Sequence, residues 1–284
     1  MFKGISVQKG DHAMRKLERD LLELLTITAP SGQERPVADY LIERLRKQTD
    51  RIECDHYGNV IAERIYGTGI GPTILLCAHM DTVWVDPART ILQDGDIWHS
   101  SIGPLGADDR AGIAIILAVL RSLARSGAFR GRIKLAFTRE EEIGRLGSEQ
   151  LSLAWLSGVD MCVVVDRRGS RDIVVRNSRM AFCDWGLASY WETIGSMCGM
   201  KGWRAVEGGL SDAVTFAKYG IPSVNLSAGY EYEHTAQEYV NVRYCKDTVR
   251  LIVQSLTNYA TVQQTAASAS LEEGKLHSRR NTVR

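Results

Sequence analysis

The sequence predicts an α/β fold in which helices sandwich a mostly parallel central sheet. Apolar runs at 74–78, 133–137 and 161–165 are typical of buried strands, and segments with helical spacing separate them. Strands that alternate with helices favour a parallel sheet covered on both faces. The chain has 284 residues, of which 44% are hydrophobic, so it is long enough to bury a substantial core.

The segment before the first apolar run predicts two helices and two strands. Residues 13–48 carry two stretches of helical spacing, broken at 29–32 by Ala-Pro-Ser-Gly. Residues 51–54 and 59–65 are predicted strands. The glycine-rich stretch 67–72 leads into a strand rather than a helix, so it predicts a turn and not a dinucleotide-binding loop.

The remaining elements follow from the same patterns. Weak strands are predicted at 90–92 and 96–98, and further strands at 172–176 and 222–226. Helices are predicted at 109–125, 148–156, 180–199, 211–219 and 244–262. We expect a single domain over residues 1–262 and a disordered polar tail over 263–284, because the tail has few large apolar side chains.

Composition excludes several classes of function. A net charge of +1 gives no reason to expect binding to nucleic acid or to an anionic membrane. No apolar run approaches the length of a membrane span, and the N-terminus has no apolar signal region. The six cysteines are scattered and form no CxxC pair, which indicates a reducing, cytoplasmic setting.

Polar side chains that can bind a metal follow the apolar runs. A histidine and an acid end the run at 74–78, two acids precede the helix at 109–125, and three acids follow the run at 133–137. Open α/β sheets bind ligands beyond the carboxyl ends of their strands. Imidazole nitrogen and carboxylate oxygen together suit a divalent metal such as zinc. These candidates are His79, Asp81, Asp108, Asp109 and Glu140 to Glu142.

The candidate residues lie in motifs that resemble a known superfamily. With Asp166 and His234 added, the chain resembles the zinc-dependent exopeptidases with two co-catalytic metals, among them peptidase T, leucyl and glutamyl aminopeptidases and glutamate-releasing carboxypeptidases. The matching motifs, in the order of that superfamily, are HMDT at 79–82, GADDRAG at 106–112, TREEEIGRLGS at 138–148, VVVD at 163–166, GGLSDA at 208–213, and GIPSVNLSAG with YEHTAQEYV at 220–240.

The resemblance implies a centre with two divalent metal ions. Asp108 would bridge both ions, His79 and Asp166 would complete one site, and Glu142 and His234 would complete the other. The expected metal is zinc, with cobalt or manganese as alternatives.

The resemblance also assigns roles to the neighbouring acids. Glu141 matches the general base, Asp81 matches the acid that holds the imidazole of the first histidine, and Asp109 follows the bridging residue in an unusual peptide geometry. The alternative register, with Glu140 as base and Glu141 as ligand, stays open at this point.

The implied activity is that of an aminopeptidase on short peptides. A carboxypeptidase or amidohydrolase acting on acidic, glutamate-containing or γ-linked substrates is the alternative, and an inactive binding protein is a third. The segments from His79 to Asp108 and from Asp166 to Gly208 are both far shorter than a domain of about a hundred residues. We therefore expect a single catalytic domain without an inserted lid, and a homo-oligomer is an open alternative.

An arginine-rich segment follows the proposed ligand Asp166. Arg167 and Arg168 are candidate substrate-binding residues, because guanidinium groups beside the cleft can bind carboxylates in a bidentate way. The alternative is a solvated turn whose arginines face only water.

Overall fold

The computed structural model of the chain describes residues 7–259, and it describes side chains from residue 13 onward. The predicted tail over 263–284 lies outside the described residues. The helices are α1 (Val7–Leu25), α2 (Arg35–Leu45), α3 (Ala107–Ser126), α4 (Leu146–Glu149), α5 (Leu153–Leu156), α6 (Trp185–Met197), α7 (Asp212–Lys218) and α8 (residues 242–259). The strands are β1 (Arg51–Cys54), β2 (Val60–Tyr66), β3 (Thr73–His79), β4 (Ile91–Asp94), β5 (Ile97–Ser100), β6 (Gly131–Thr138), β7 (Met161–Arg167), β8 (Asp172–Arg176), β9 (Arg204–Glu207), β10 (Ser223–Ser227), β11 (Tyr230–Glu231) and β12 (Tyr239–Asn241).

The predicted α/β class with a mostly parallel sheet is confirmed. Eight strands form one sheet in the order β1-β2-β6-β3-β7-β10-β8-β9. Its four central strands, β6, β3, β7 and β10, are mutually parallel, whereas β2 and β8 run antiparallel to their inner neighbours. Strand β3 is apolar along almost its whole length because both faces of the sheet are covered, which is typical of parallel strands.

Helix α3 is the central helix of one sheet face. It packs on β3 and β7, and α1 packs on its outer side. Residues 107–120 are buried on every face of the helix. The composition explains this, because Ile and Ala fill positions all around the helix and leave no polar stripe for solvent.

A second sheet connects two segments that carry predicted site residues. Its strands run in the order β11-β12-β5-β4, and all neighbouring pairs are antiparallel. Strands β4 and β5 belong to the segment that follows His79, and β11 and β12 flank His234. Trp98 of β5 lies opposite Val240 of β12, and both side chains are part of the main hydrophobic core.

Several local predictions differ from the structure, among them a polar loop expected over 229–238, where β11 forms and β12 follows. The helix expected over 180–199 begins only at Trp185, where the side chain of Asp184 accepts the backbone N–H of Leu187 and caps it. The helix expected over 148–156 is two short turns, because Ser152 caps a new one. Strand β9 was not predicted, since its four residues are charged at both ends and carry no clear alternation.

Between β7 and α7 the chain adds β8, α6 and β9, which extend or cover the edge of the main sheet instead of building a separate lid.

None of the helices within residues 7–259 has both the length and the apolar character that crossing a bilayer requires.

Candidate metal centre

The predicted ligands meet at the carboxyl edge of the central strands. His79 is the last residue of β3, Asp166 lies near the end of β7, and Glu142 follows β6. Asp108 lies in the first turn of α3, and His234 lies between β11 and β12. Parallel strands end at the same edge of a sheet, so these segments, which are far apart in sequence, bring their side chains together.

Asp108 lies between two groups of side chains. Its Oδ1 is 3.0 Å from Nε2 of His79, which is itself 3.6 Å from Oδ1 of Asp166. Its Oδ2 is 3.3 Å from Nε2 of His234, which is 2.8 Å from Oε1 of Glu142. Each carboxylate oxygen of Asp108 therefore faces a different histidine and a different second acid, which is the arrangement a bridging ligand requires.

These donors fit divalent cations. Among the described residues, two groups have ligand atoms that all lie within 4.8 Å of one another, namely His79 with Asp108 and Glu142, and His79 with Asp109 and Asp166. The carboxylate of Asp109 is already engaged, because it accepts the backbone N–H groups of His79 at 3.3 Å and Gly112 at 2.9 Å. We therefore assign Asp109 to support of the backbone, not to metal binding.

The charges of the site also fit a cation. Burial and the neighbouring Asp108 raise the pKa of Asp166 to about 7. Burial and Asp166 raise the pKa of Glu141 to about 9. Contacts with Asp108 and Glu142 raise the pKa of His234 to about 10. Several carboxylates packed this closely repel one another, and a divalent cation would relieve that repulsion.

The loop after β6 distinguishes its three glutamates. The carboxylate of Glu140 accepts a hydrogen bond from the hydroxyl of Tyr57, whereas that of Glu142 faces His234. The backbone N–H groups of Glu141 and Glu142 both donate to Asp81, at 3.0 and 3.2 Å. This geometry favours the register in which Glu142 is the ligand and Glu141 the base.

Asp81 also holds the first histidine. Its Oδ1 is 3.3 Å from Nδ1 of His79, and its backbone oxygen is 3.0 Å from the same nitrogen. Burial raises the pKa of Asp81, but His79 and Ser31 outweigh burial and lower the pKa to about 2. An ionised acid behind an imidazole fixes its tautomer and orientation.

The peptide bond between Asp108 and Asp109 is cis, which is the unusual geometry that the resemblance implied.

Two buried residues that support the predicted ligands were not identified from the sequence. The carboxylate of Glu238 accepts the backbone N–H groups of Gly106, Ala107 and Asp108 and so caps the start of α3. The hydroxyl of Tyr230 donates to Oδ1 of Asp166 at 2.9 Å. Glu238 could have been identified from the sequence, because it lies four residues after His234 in the same motif.

The turn between α1 and α2 also contacts residues of the predicted site. The hydroxyl of Ser31 donates to Asp81 at 2.7 Å. The buried carboxylate of Glu34 accepts Nε of Arg139 at 2.7 Å and the backbone N–H of Glu140 at 3.2 Å. The N-terminal turn thus fixes the loop that carries Glu141, which no local pattern at 29–34 had indicated.

The candidate substrate-binding arginines both face carboxylates of the chain itself. Arg167 lies 3.3 Å from Asp172, and Arg168 lies 2.7 Å from Glu233. Their substrate role stays a prediction. The structure shows that each guanidinium group has a charged partner inside the protein.

Fold and site together define a hydrolase class, the metallopeptidases built on a parallel α/β sheet. The sequence profile of peptidase family M28 matches residues 59–255. The chain therefore belongs to peptidase family M28, and the expected kinship with the metal-dependent exopeptidases is confirmed.

Similar proteins include peptidases and amide hydrolases. A Pyrobaculum aerophilum protein provisionally named a LysW-lysine/LysW-ornithine hydrolase is 36% identical over 133 residues, covering 46% of this chain and 36% of that protein. Carboxypeptidase G2 of a Pseudomonas species is 38% identical over 101 residues, covering 33% of this chain and 23% of that enzyme. The chain thus spans about a third or less of the length of these curated relatives.

A solved structure covers more of the chain. The aminopeptidase PepT of Bacillus cereus superimposes with a TM-score of 0.78 at 18% identity, covering 87% of this chain and 99% of that one. At this level of identity the likeness shows the fold, and the chemistry has to be argued from the side chains.

Proposed function

We propose that this chain is an aminopeptidase that removes N-terminal residues from short peptides with the help of two bound zinc ions. The observation that carries the proposal is the position of Asp108, whose two oxygens each face a separate histidine and acid. His79 and Asp166 would hold one ion with Asp108, and Glu142 and His234 would hold the other.

The bound ions would supply an activated water and a polarised scissile carbonyl. The protein's own residues would do the rest. Glu141 would take the proton of the attacking water and deliver it to the leaving amine. Asp81 would keep His79 in the tautomer that presents Nε2 to the metal. Glu238, Tyr230 and Ser31 would hold the ligands and Asp81 in place.

A second candidate is cleavage of another amide, as in a carboxypeptidase or an amidohydrolase of acidic or γ-linked substrates. Two observations favour it: a carboxypeptidase and a provisionally named LysW-linked amide hydrolase are among the similar proteins, and arginines follow Asp166. We rank it second because Arg167 and Arg168 already face internal carboxylates. An inactive binding protein is disfavoured, since every proposed ligand and the proposed base are present.

The remaining expectations stay predictions. Cobalt or manganese could replace zinc, because the donor set is shared by all three metals. A cytoplasmic location and assembly into a homo-oligomer are likewise proposals, and we expect no nucleic acid or membrane partner.

The test is activity of the metal-loaded protein on peptides blocked at either end. We expect cleavage of peptides with a free N-terminus, no cleavage when the N-terminus is acetylated, and loss of activity with a chelator. Asp108→Ala should abolish both metal binding and activity. Cleavage that requires a free C-terminus instead would favour the second candidate, and full metal content in Asp108→Ala would exclude the proposed centre.

A further inference from the structure

The turn that carries His234 has an unusual backbone. Tyr232 and His234 both have positive φ angles, 55° and 66°, which side-chain-bearing residues rarely adopt. Thr235 closes the turn locally, because its backbone N–H and its hydroxyl both donate to the carbonyl of Tyr232. Such a conformation persists only where the surrounding structure holds it.

The chain just before this turn is fixed to the end of β7 through its backbone. Ala228 donates its N–H to the carbonyl of Arg167 at 2.7 Å, and Gly169 donates to the carbonyl of Tyr230 at 2.7 Å. Among the described residues, backbone pairing with the end of β7 stops at Tyr230, and Glu231 then pairs with Tyr239 of β12. His234 lies in the turn between these two paired strands, where side-chain contacts of the turn add to the hold of the backbone.

Glu233 makes the inward contact of the turn. Its side chain is only 14% exposed, although that of His234 is 42% exposed. Its Oε1 lies 2.7 Å from Nη2 of Arg168, and its buried Oε2 has no hydrogen-bond partner among the described residues. A largely buried carboxylate needs a compensating charge, and Arg168 supplies it.

The two partners are adjacent to opposite sides of the proposed centre. Arg168 is two residues beyond Asp166, and Glu233 is one residue before His234. Other charges lie nearby, because Arg167 and Arg204 both face Asp172, and Glu231 interacts with Arg168, Arg167 and Glu233. The pair thus joins the strand that ends in one proposed ligand to the turn that presents another.

We infer that the ion pair of Arg168 and Glu233 is a positioning pair that holds His234 toward Glu142 and Asp108. The inference rests on the proposed two-metal centre and assigns Arg168 to the protein framework instead of to the substrate. It predicts that loss of the pair weakens the site that His234 helps to form and spares the site of His79 and Asp166.

The expected effect is moderate. Residues that support metal ligands typically change metal affinity by 10- to 100-fold when they are replaced. The side chain of Arg168 is 54% exposed, so water screens part of its charge. We therefore expect about a tenfold loss of zinc affinity at one site in Arg168→Ala. Glu233→Gln should lose less, because the amide oxygen can still accept the guanidinium hydrogen bond.

The experiment is a zinc titration of the full chain in competition with a chromogenic chelator, repeated with Co²⁺ to follow the visible absorption of each site. Arg176→Ala is the matched control. The side chain of Arg176 is 57% exposed and pairs with Glu207. Its replacement therefore removes the same charge from a similar ion pair, but one that is not next to a proposed ligand. The double replacement Arg168→Glu with Glu233→Arg tests whether the reversed pair restores affinity.

Four results bear on the inference. Weakening of one site in Arg168→Ala, none in Arg176→Ala and recovery in the reversed pair would support it. Unchanged zinc affinities in Arg168→Ala would overturn it while the proposed function stands. A raised KM for acidic peptides with intact zinc binding would also overturn it, because Arg168 would then contact substrate. Fewer than two ions in the wild type would overturn both the inference and the proposed centre.

Discussion

Gly112 allows a prediction whose sign is opposite to the usual rule for helices. It lies in α3, where replacement of glycine by alanine ordinarily stabilises a helix by about 1 kcal/mol. Here a Cβ on Gly112 would lie 2.6 Å from Oδ2 of Asp109 and closer still to the carbonyl oxygen of Val165. Neither neighbour is free to move, because Asp109 accepts two backbone N–H groups and Val165 lies within β7.

The magnitude follows from these contacts. Overpacking of a core costs about 1–3 kcal/mol, and we take the upper end because one of the overlapping atoms belongs to the backbone. After the propensity gain of about 1 kcal/mol, Gly112→Ala should lose about 2 kcal/mol. That corresponds to a fall in Tm of roughly 4–8 °C for a chain of this size. The displaced carbonyl precedes Asp166, so zinc affinity should fall as well.

The measurement is thermal unfolding followed by circular dichroism, with zinc content determined by elemental analysis. Gly186→Ala in α6 is the control, because within 4 Å its Cβ would meet only the exposed side chain of Asp184, at 3.3 Å, and no backbone atom. We expect its Tm to stay within about 2 °C of the wild type. A Tm for Gly112→Ala at or above that of the wild type would refute the argument from the close approach of α3 to β7.

Three further predictions concern the site. Glu141→Gln should retain its metals while kcat falls by about 10²- to 10⁴-fold, and loss of a metal would show that the register is shifted by one residue. Tyr230→Phe should weaken zinc binding at the site of Asp166 by about tenfold in a chelator competition, and an unchanged affinity would remove Tyr230 from the support of that ligand. A substrate role for Arg167 predicts that kcat/KM for Glu peptides relative to Leu peptides falls with salt and with Arg167→Ala. A Leu preference that resists both changes would show that this arginine serves only its internal carboxylate.

The sequence alone was sufficient to locate the central strands of the main sheet and the polar residues that follow them. Strand β3 could be predicted because a strand buried on both faces needs an unbroken apolar run, and His79 stands where that run ends. The same logic located β6 and β7. Once these strands are parallel, their carboxyl ends meet, so the polar residues that follow them become neighbours without further information.

Only the tertiary structure decided what holds those residues in position. Glu238 caps α3 from about 130 positions away in sequence, and Glu34 supports the loop of Glu141 from more than 100 away. A local pattern records the spacing of a residue within its own helix or strand. It does not record which distant backbone N–H group a buried carboxylate must satisfy, because that partner is set by the packing of separate elements. The pairing of Arg168 with Glu233 is of the same kind. In the sequence these residues belong to two separate charged segments, and only folding brings their side chains into contact.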